Sequence, residues 1–177
     1  MKSVKPNPKR VLAIDPTSRG FGFVVLESPS TLVDWGVKTA PPKEETKTLA
    51  KVVKVIRQYR PEIILLEDYR GSRRVARIRR LLDKVCRLVE KEGLKSRRIP
   101  VSRVKTVFRT FHANTKYEIA HAVAQQLPEL APRLPRYRKA WMSEEYGTAI
   151  FDAAALALTY FHARPVRSGG EPERLPA

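Results

Sequence analysis

The stretch VLAIDPTSRGFGFVVLE, residues 11–27, decides the fold. An apolar run ends at Asp15, a turn containing Gly20 follows, and a second apolar run leads away from the turn. Two short apolar runs joined by a tight turn are typical of neighbouring antiparallel strands. TLVDWGVK, residues 31–38, predicts a third strand. The three strands form an antiparallel meander, and the carboxylate at the end of the first one needs an explanation.

Helices and strands alternate in the rest of the chain. EIILLED, residues 62–68, is a continuous apolar run, which is typical of a central strand covered on both faces. Apolar periodicity and helix-ending residues predict helices over 44–59, 73–92, 103–110, 115–127 and 143–162, a fifth strand over 97–102 and a loop over 128–140. This order predicts an α/β fold, a mixed five-stranded sheet with helices on both faces.

Length and composition indicate one globular domain. The chain has 177 residues, of which 42% are hydrophobic and 30% charged. We expect a flexible N-terminus over 1–9, a single domain over 10–163 and a disordered tail over 164–177.

Charge indicates the class of partner. There are 35 Lys and Arg against 18 Asp and Glu, a formal net charge of +17. Such an excess favours a polyanionic partner, nucleic acid first. Cys86 is the one cysteine, so the chain forms no internal disulfide. No apolar run is long enough for a membrane span, and no signal-peptide core follows the basic N-terminus. We therefore expect a cytoplasmic protein.

Three acids stand where apolar patterning makes them costly. Asp15 and Glu67 end two strands that can lie side by side, and Asp152 lies inside the apolar helix AIFDAAALALTYF. A buried carboxylate without a partner is unfavourable. A divalent cation shared by all three would remove this cost, because Mg²⁺ prefers carboxylate oxygens. Two such ions could hydrolyse a phosphodiester.

Each acid also has a structural explanation. Asp15 could cap the turn that follows it, and Glu67 could pair with a nearby arginine. Asp152, among alanines in the middle of a helix, is harder to explain in this way. Together the three acids favour a metal site.

These residues resemble motifs of the RuvC-type Holliday-junction resolvases. IDPTSRGFGFVV is similar to the first motif of that family, ILLEDY to the second and FDAAALAL to the last. The resemblance covers about residues 10–162 and implies a ribonuclease H-like fold. It further implies a homodimer that cuts four-way DNA junctions with Mg²⁺, for which Mn²⁺ is an alternative ion. The implied catalytic and metal-binding residues are Asp15, Glu67 and Asp152.

One departure from the family concerns a fourth ligand. The family carries an acid or a histidine three residues before the last Asp, and here that position is Ala149. Glu145 lies seven residues before Asp152, on the same helical face, and is our candidate substitute. Glu144 is its neighbouring alternative, and both acids would also serve as ordinary first-turn residues of a helix.

Basic residues near the acids are expected to contact nucleic acid. RGSRRVARIRR, residues 70–80, follows the second motif, and arginine suits bidentate phosphate contact. VKTVFRTFHANTKYE, residues 104–118, loosely matches the DNA-contacting region of the family through Lys105 and Lys116. Tyr69 could stack on a base or belong to the core. The expected contacts are Arg19, Tyr69, Arg70, Arg73, Arg74, Arg77, Lys105 and Lys116.

Other functions fit parts of the sequence. A ribonuclease H-like nuclease acting on RNA or on other branched DNA would need the same acids. A non-catalytic nucleic-acid-binding protein would need the acids to be relics. An actin-like or sugar-kinase ATPase also opens with a strand, an Asp and a Gly-bearing hairpin, but it needs a second domain and more than the 8 glycines present.

Overall fold

The structure, a computed structural model, describes residues 9–41, 44–70, 76–137 and 147–163. Its elements follow the chain in this order: β1 (Val11–Thr17), β2 (Gly20–Ser28), β3 (Thr31–Thr39), α1 (Glu45–Tyr59), β4 (Ile63–Asp68), α2 (Ala76–Lys91), β5 (Lys95–Pro100), α3 (Val101–Arg109), α4 (Lys116–Gln126), a 3₁₀ helix (Pro128–Arg133) and α5 (Thr148–His162).

The five strands form one mixed sheet in the order β3-β2-β1-β4-β5. The first three strands pair antiparallel as the predicted meander, whereas β4 pairs parallel with both β1 and β5. The hairpin turn ends at Gly20, whose φ of +133° is one that residues with a side chain rarely adopt. The predicted α/β mixed five-stranded sheet is confirmed.

Helices cover both faces of the sheet. One core cluster joins Leu12, Ile14, Ile64 and Leu66 to α1 and α2. The other joins the alternate residues of the same strands, such as Ala13 and Leu65, to α3, α4 and α5. Side chains alternate between the faces of a strand, so the continuous apolar runs of β1 and β4 supply both cores at once.

Two predictions of secondary structure were wrong. Residues 128–133, predicted as loop, form the 3₁₀ helix, because Pro128 at its first position suits a helical turn. Strand β5 runs over Lys95–Pro100 rather than 97–102, and α3 follows directly at Val101. Helix α5 begins at Thr148, because Gly147 forms a turn. Its predicted start at 143 lies outside the described residues, as do 1–8 and 164–177.

No helix within the described ranges is long and apolar enough to cross a membrane.

Helix α5 lies very close to β2. A Cβ atom built on Gly22 would lie 2.4 Å from the carbonyl carbon of Ala149 and 2.6 Å from its Cβ. Real Cβ atoms do not approach other heavy atoms so closely. Small residues on both elements therefore set the distance between α5 and the sheet, and with it the position of every side chain on α5.

Gly22→Ala should destabilise the fold by about 2 kcal/mol, because α5 must move away from β2 to accept the methyl group. Gly147→Ala is the matched control, since its added Cβ meets no atom within 4 Å among the described residues, its chain neighbours aside. Urea unfolding of both variants measures the difference. Equal free energies of unfolding for the two would contradict the close approach.

Candidate functional site

Asp15 and Glu67 lie at the same edge of the sheet. Strands β1 and β4 are parallel, and Ile14 pairs with Leu66, so the two acids are the next residues on neighbouring strands. By alternation both side chains project to the face that carries α5. Both residues are buried, with 2% of Asp15 and 9% of Glu67 exposed. The parallel pairing thus places two carboxylates at one strand edge, as the sequence predicted.

Glu67 and Asp152 line one cleft between the sheet edge and the helices α3, α4 and α5. The cleft has a volume of about 510 Å³. Its polar lining also includes Lys105, Asn114 and Lys116. Asp152 is half-buried on α5, where the surrounding alanines are buried against the sheet. The cleft therefore combines two carboxylates with two lysine ammonium groups.

Asp15 has a hydrogen bond to a residue of the other core. The Tyr69 hydroxyl donates to Asp15 Oδ1 over 3.1 Å, and both residues are buried. Asp15 is not among the residues that line the cleft. The suggestion that Tyr69 stacks on a base is corrected here, because only 2% of this residue is exposed. Its place is in the core, where it orients the Asp15 carboxylate.

Lys116 is a direct counter-ion of Asp152. Lys116 Nζ lies 3.4 Å from Asp152 Oδ2. We expected Lys116 to contact nucleic acid, and the sequence did not predict this ion pair. The spacing of 36 residues between the partners leaves no local signal from which to predict it.

Helix α4, which begins at Lys116, has a capping box. The Glu118 amide donates to Thr115 Oγ1 over 3.2 Å, and Glu118 Oε2 accepts from the backbone amide of Thr115 over 2.9 Å and from that of Asn114 over 2.7 Å. The pattern Thr-x-x-Glu is a sequence signature of this motif. Sequence reasoning missed it although the signal was present. The box fixes the first turn of α4 and so the base of the Lys116 side chain.

The described side chains do not include a complete set of metal ligands. Within the ranges 9–41, 44–70, 76–137 and 147–163, no group of three or more His, Cys, Asp and Glu side chains is arranged to hold a metal ion. The oxygen donors of Asp15, Glu67 and Asp152 have the chemistry that Mg²⁺ prefers. Glu144 and Glu145, the candidates for a further ligand, lie outside the described residues.

Ala149 is a packing residue. It is buried and lies against Gly22. Position 149 thus contributes to the close approach of α5 to β2.

The expected nucleic-acid contacts lie in different places. Lys105 and Lys116 line the acidic cleft, whereas Arg19 is exposed in the turn between β1 and β2. Arg70 is exposed and forms an ion pair with Asp68, with 2.7 Å between Nη2 and Oδ2. The hydrogen bond from Arg70 lowers the pKa of Asp68 below its usual value.

Arg77, which we expected beside the acids, is not among the residues that line the cleft. Helix α2 packs on the sheet face opposite to α5. Its Arg77 contributes to lowering the pKa of Glu45 on α1, although the hydrogen bond from Lys84 is the larger cause. Arg73 and Arg74 lie outside the described residues. Contact of Arg19, Arg70, Arg73, Arg74 and Arg77 with nucleic acid stays a prediction.

Two solved structures resemble this protein over most of its length. The structure superposes on a RuvC of Thermus thermophilus in complex with a Holliday-junction substrate, with a TM-score of 0.63 and 23% identity over 88% of this chain and 94% of that one. The fold is that of RuvC. A second Thermus thermophilus RuvC structure agrees, with a TM-score of 0.62 and 22% identity over 87% of this chain and 95% of that one.

The sequence comparisons add no closer relationship. No protein-family model matches this chain, and no curated protein matches it significantly. The predicted resemblance to RuvC, including the ribonuclease H-like fold, is confirmed by the structures. At this identity the likeness establishes the fold, and the activity has to be argued from the cleft.

Glu118→Gln should reduce the loss of stability in acid. The backbone amides of Asn114 and Thr115 lower the pKa of Glu118, so its contribution is present above the unfolded-state pKa and is lost as the pH falls through the lower folded-state pKa. Glutamine keeps an acceptor oxygen but does not titrate. Free energies of unfolding at pH 7 and at about pH 3 should therefore differ less in this variant than in the parent chain. Equal differences in both proteins would contradict the role of the capping box.

Proposed function

We propose that this protein is a magnesium-dependent, structure-selective endonuclease that cuts four-way DNA junctions. The observation that carries the proposal is the placement of Glu67 and Asp152 in one cleft, with Asp15 beside Glu67 at the ends of parallel strands. The RuvC fold supports it, because one of the matching structures is a RuvC complexed with a Holliday junction. The net charge of +17 suits a polyanionic substrate.

Asp15, Glu67 and Asp152 would hold the metal, with Glu145 as a further ligand. The bound ion, Mg²⁺ or Mn²⁺, would activate a water molecule and neutralise charge on the phosphodiester. Tyr69 would keep one Asp15 oxygen oriented through its hydrogen bond. Burial of Asp15 and Glu67 would exclude bulk water and strengthen every charge interaction at this edge.

Lys105 and Lys116 are the basic residues of the acid cleft. In the absence of a metal, Lys116 partly neutralises Asp152. Once a metal takes that role, the ammonium groups would be available to a phosphate of the bound strand, at the positions where the cleft opens. Contacts of this kind hold a nucleic-acid backbone without reading its sequence. A homodimer, which would allow two symmetric cuts, is part of the proposal by resemblance.

Cleavage of a labelled four-way junction with Mg²⁺ tests the function. Asp15→Asn and Glu67→Gln should abolish cutting while keeping the fold, because each replaces a charged oxygen ligand by an amide of the same size. Glu62→Gln is the matched control, since Glu62 precedes the opposite end of β4 and pairs with Lys9. Duplex DNA, single-stranded DNA and an RNA hairpin serve as comparison substrates.

The outcomes of that experiment separate the alternatives. Symmetric nicks in the junction that both site variants lose and the control retains would support the proposal. Cutting of the RNA hairpin, again lost in both variants, would keep the acid cleft and change the substrate. Binding without cutting of any substrate would contradict the proposed endonuclease activity and favour a non-catalytic nucleic-acid-binding protein.

Lys116→Met should tighten binding of Mn²⁺, measured by titration calorimetry, by up to about fivefold, because an ion pair at a partly exposed site contributes up to ~1 kcal/mol. Lys105→Met is the control. It removes the same charge from the same cleft but leaves the ion pair of Lys116 with Asp152 intact. Equal affinities for the two variants would show that Lys116 does not compete with the metal.

A further inference from the structure

The two edges of the sheet differ in how they are protected. Several charged side chains on an edge strand keep it from pairing with a strand of another molecule. Strand β5, at one edge, carries Lys95, Arg97 and Arg98 among its six residues. Strand β3, at the other edge, has nine residues, contains no proline, and carries one acid and one base, Asp34 and Lys38. The outer edge of β3 is therefore the less protected of the two.

One hydrogen bond fixes the direction in which the backbone groups of β3 point. The Ala40 amide, directly after β3, donates to the Arg19 carbonyl over 2.9 Å, so Ala40 faces the hairpin of β1 and β2. Backbone amides and carbonyls alternate between the two sides of a strand from one residue to the next. Every second residue before Ala40, back to Asp34, thus also faces β2. The amides and carbonyls of Trp35 and Val37 face outward.

Both ends of this outer edge are closed to further pairing. At one end the Thr39 carbonyl accepts a hydrogen bond from the Lys51 ammonium group of α1, which agrees with an outward direction for Thr39. At the other end the register with β2 shifts, and the pairing skips Val33. Trp35 and Val37 therefore carry the outward amides and carbonyls of the regular part of β3.

We propose that β3 pairs antiparallel with β3 of a second copy of this chain, about a twofold axis at Gly36. Trp35 then exchanges two hydrogen bonds with Val37 of the second copy, and symmetry repeats the exchange. An aromatic residue opposite a β-branched one stabilises a sheet. Both side chains are half-buried on the α5 face of the sheet. The contact lies outside the acid cleft and goes beyond the proposed nuclease activity.

The same register joins opposite charges. It places Asp34 opposite Lys38 of the second copy, and symmetry gives a second such pair, which is favourable. Both side chains lie on the α1 face of β3. The Tyr59 hydroxyl of α1 donates to Asp34 Oδ2, and Lys38 Nζ lies 5.5 Å from the centre of the Phe23 ring, which belongs to the core on that face. A shift of the register by two residues in either direction removes both charge pairs, so the sequence of β3 favours this one.

Sedimentation velocity of the full chain, without metal or DNA, tests the contact. The parent chain should self-associate, and Lys38→Glu should weaken self-association by about tenfold, because two attractive cross-strand pairs become repulsive. Lys54→Glu is the control, since it reverses an exposed charge on α1 and leaves β3 unchanged. A monomeric parent chain, an assembly that Lys38→Glu leaves intact, or equal weakening by both variants would overturn the proposal.

A mixture of two variants tests the register. Asp34→Lys should lose self-association as Lys38→Glu does, because two lysines then face each other. Mixed in equal amounts, the two variants should form a heterodimer, since every opposing pair again joins a lysine to an acid. Cooperative urea unfolding shows that each variant is folded. Folded variants that fail to associate when mixed would contradict the pairing about Gly36.

Amide hydrogen exchange tests the backbone contact directly. Exchange at Trp35 and Val37 should slow as the chain concentration rises, because only a second copy protects these amides. The Gly36 amide, which faces β2, is the internal control and should be protected at every concentration. Equally fast exchange of Trp35 and Val37 in the monomer and in the assembly would overturn the proposal. None of these measurements requires cleavage, so failure of the proposed nuclease activity would leave them intact.

Discussion

The close contact between α5 and β2 is the constraint on which the rest of the molecule depends. Glycine at position 22 and alanine at position 149 let the helix backbone approach the sheet to a distance that a single added methyl group would prevent. Because α5 is rigid, this contact also sets the position of Asp152, one turn further along, over the edge where β4 ends. Position 149 carries an alanine, so any further ligand must come from another position.

A second constraint is the cost of burying carboxylates. Asp15 and Glu67 are almost fully buried, which is unfavourable for charged groups unless they have partners. The structure provides Asp15 with the Tyr69 hydroxyl and Asp152 with Lys116. These partners make the acids tolerable in the protein alone. They also keep negative charge concentrated at one edge of a chain that is otherwise strongly basic.

Basic residues are distributed over the molecule in a way that composition does not reveal. Some lie in the acid cleft, some form ion pairs on the surface, and others lie on the edge strand β5. The basic residues at these places differ in the charge of their neighbours and in how far they are buried. A single net charge indicates the class of partner, but only the local surroundings indicate which arginine or lysine could contact it.

The sequence by itself determined the meander, the central strand, the order of the helices and the three acids at structurally costly positions. These properties depend on local patterns, namely apolar periodicity, turn residues and strand-ending carboxylates, which neighbouring residues specify. Only the tertiary structure decided that Tyr69 is buried against Asp15, that Lys116 pairs with Asp152 and that Ala149 packs on Gly22. Each of these contacts joins residues distant in sequence, and their distances follow from how closely helices pack on the sheet, which no local pattern encodes.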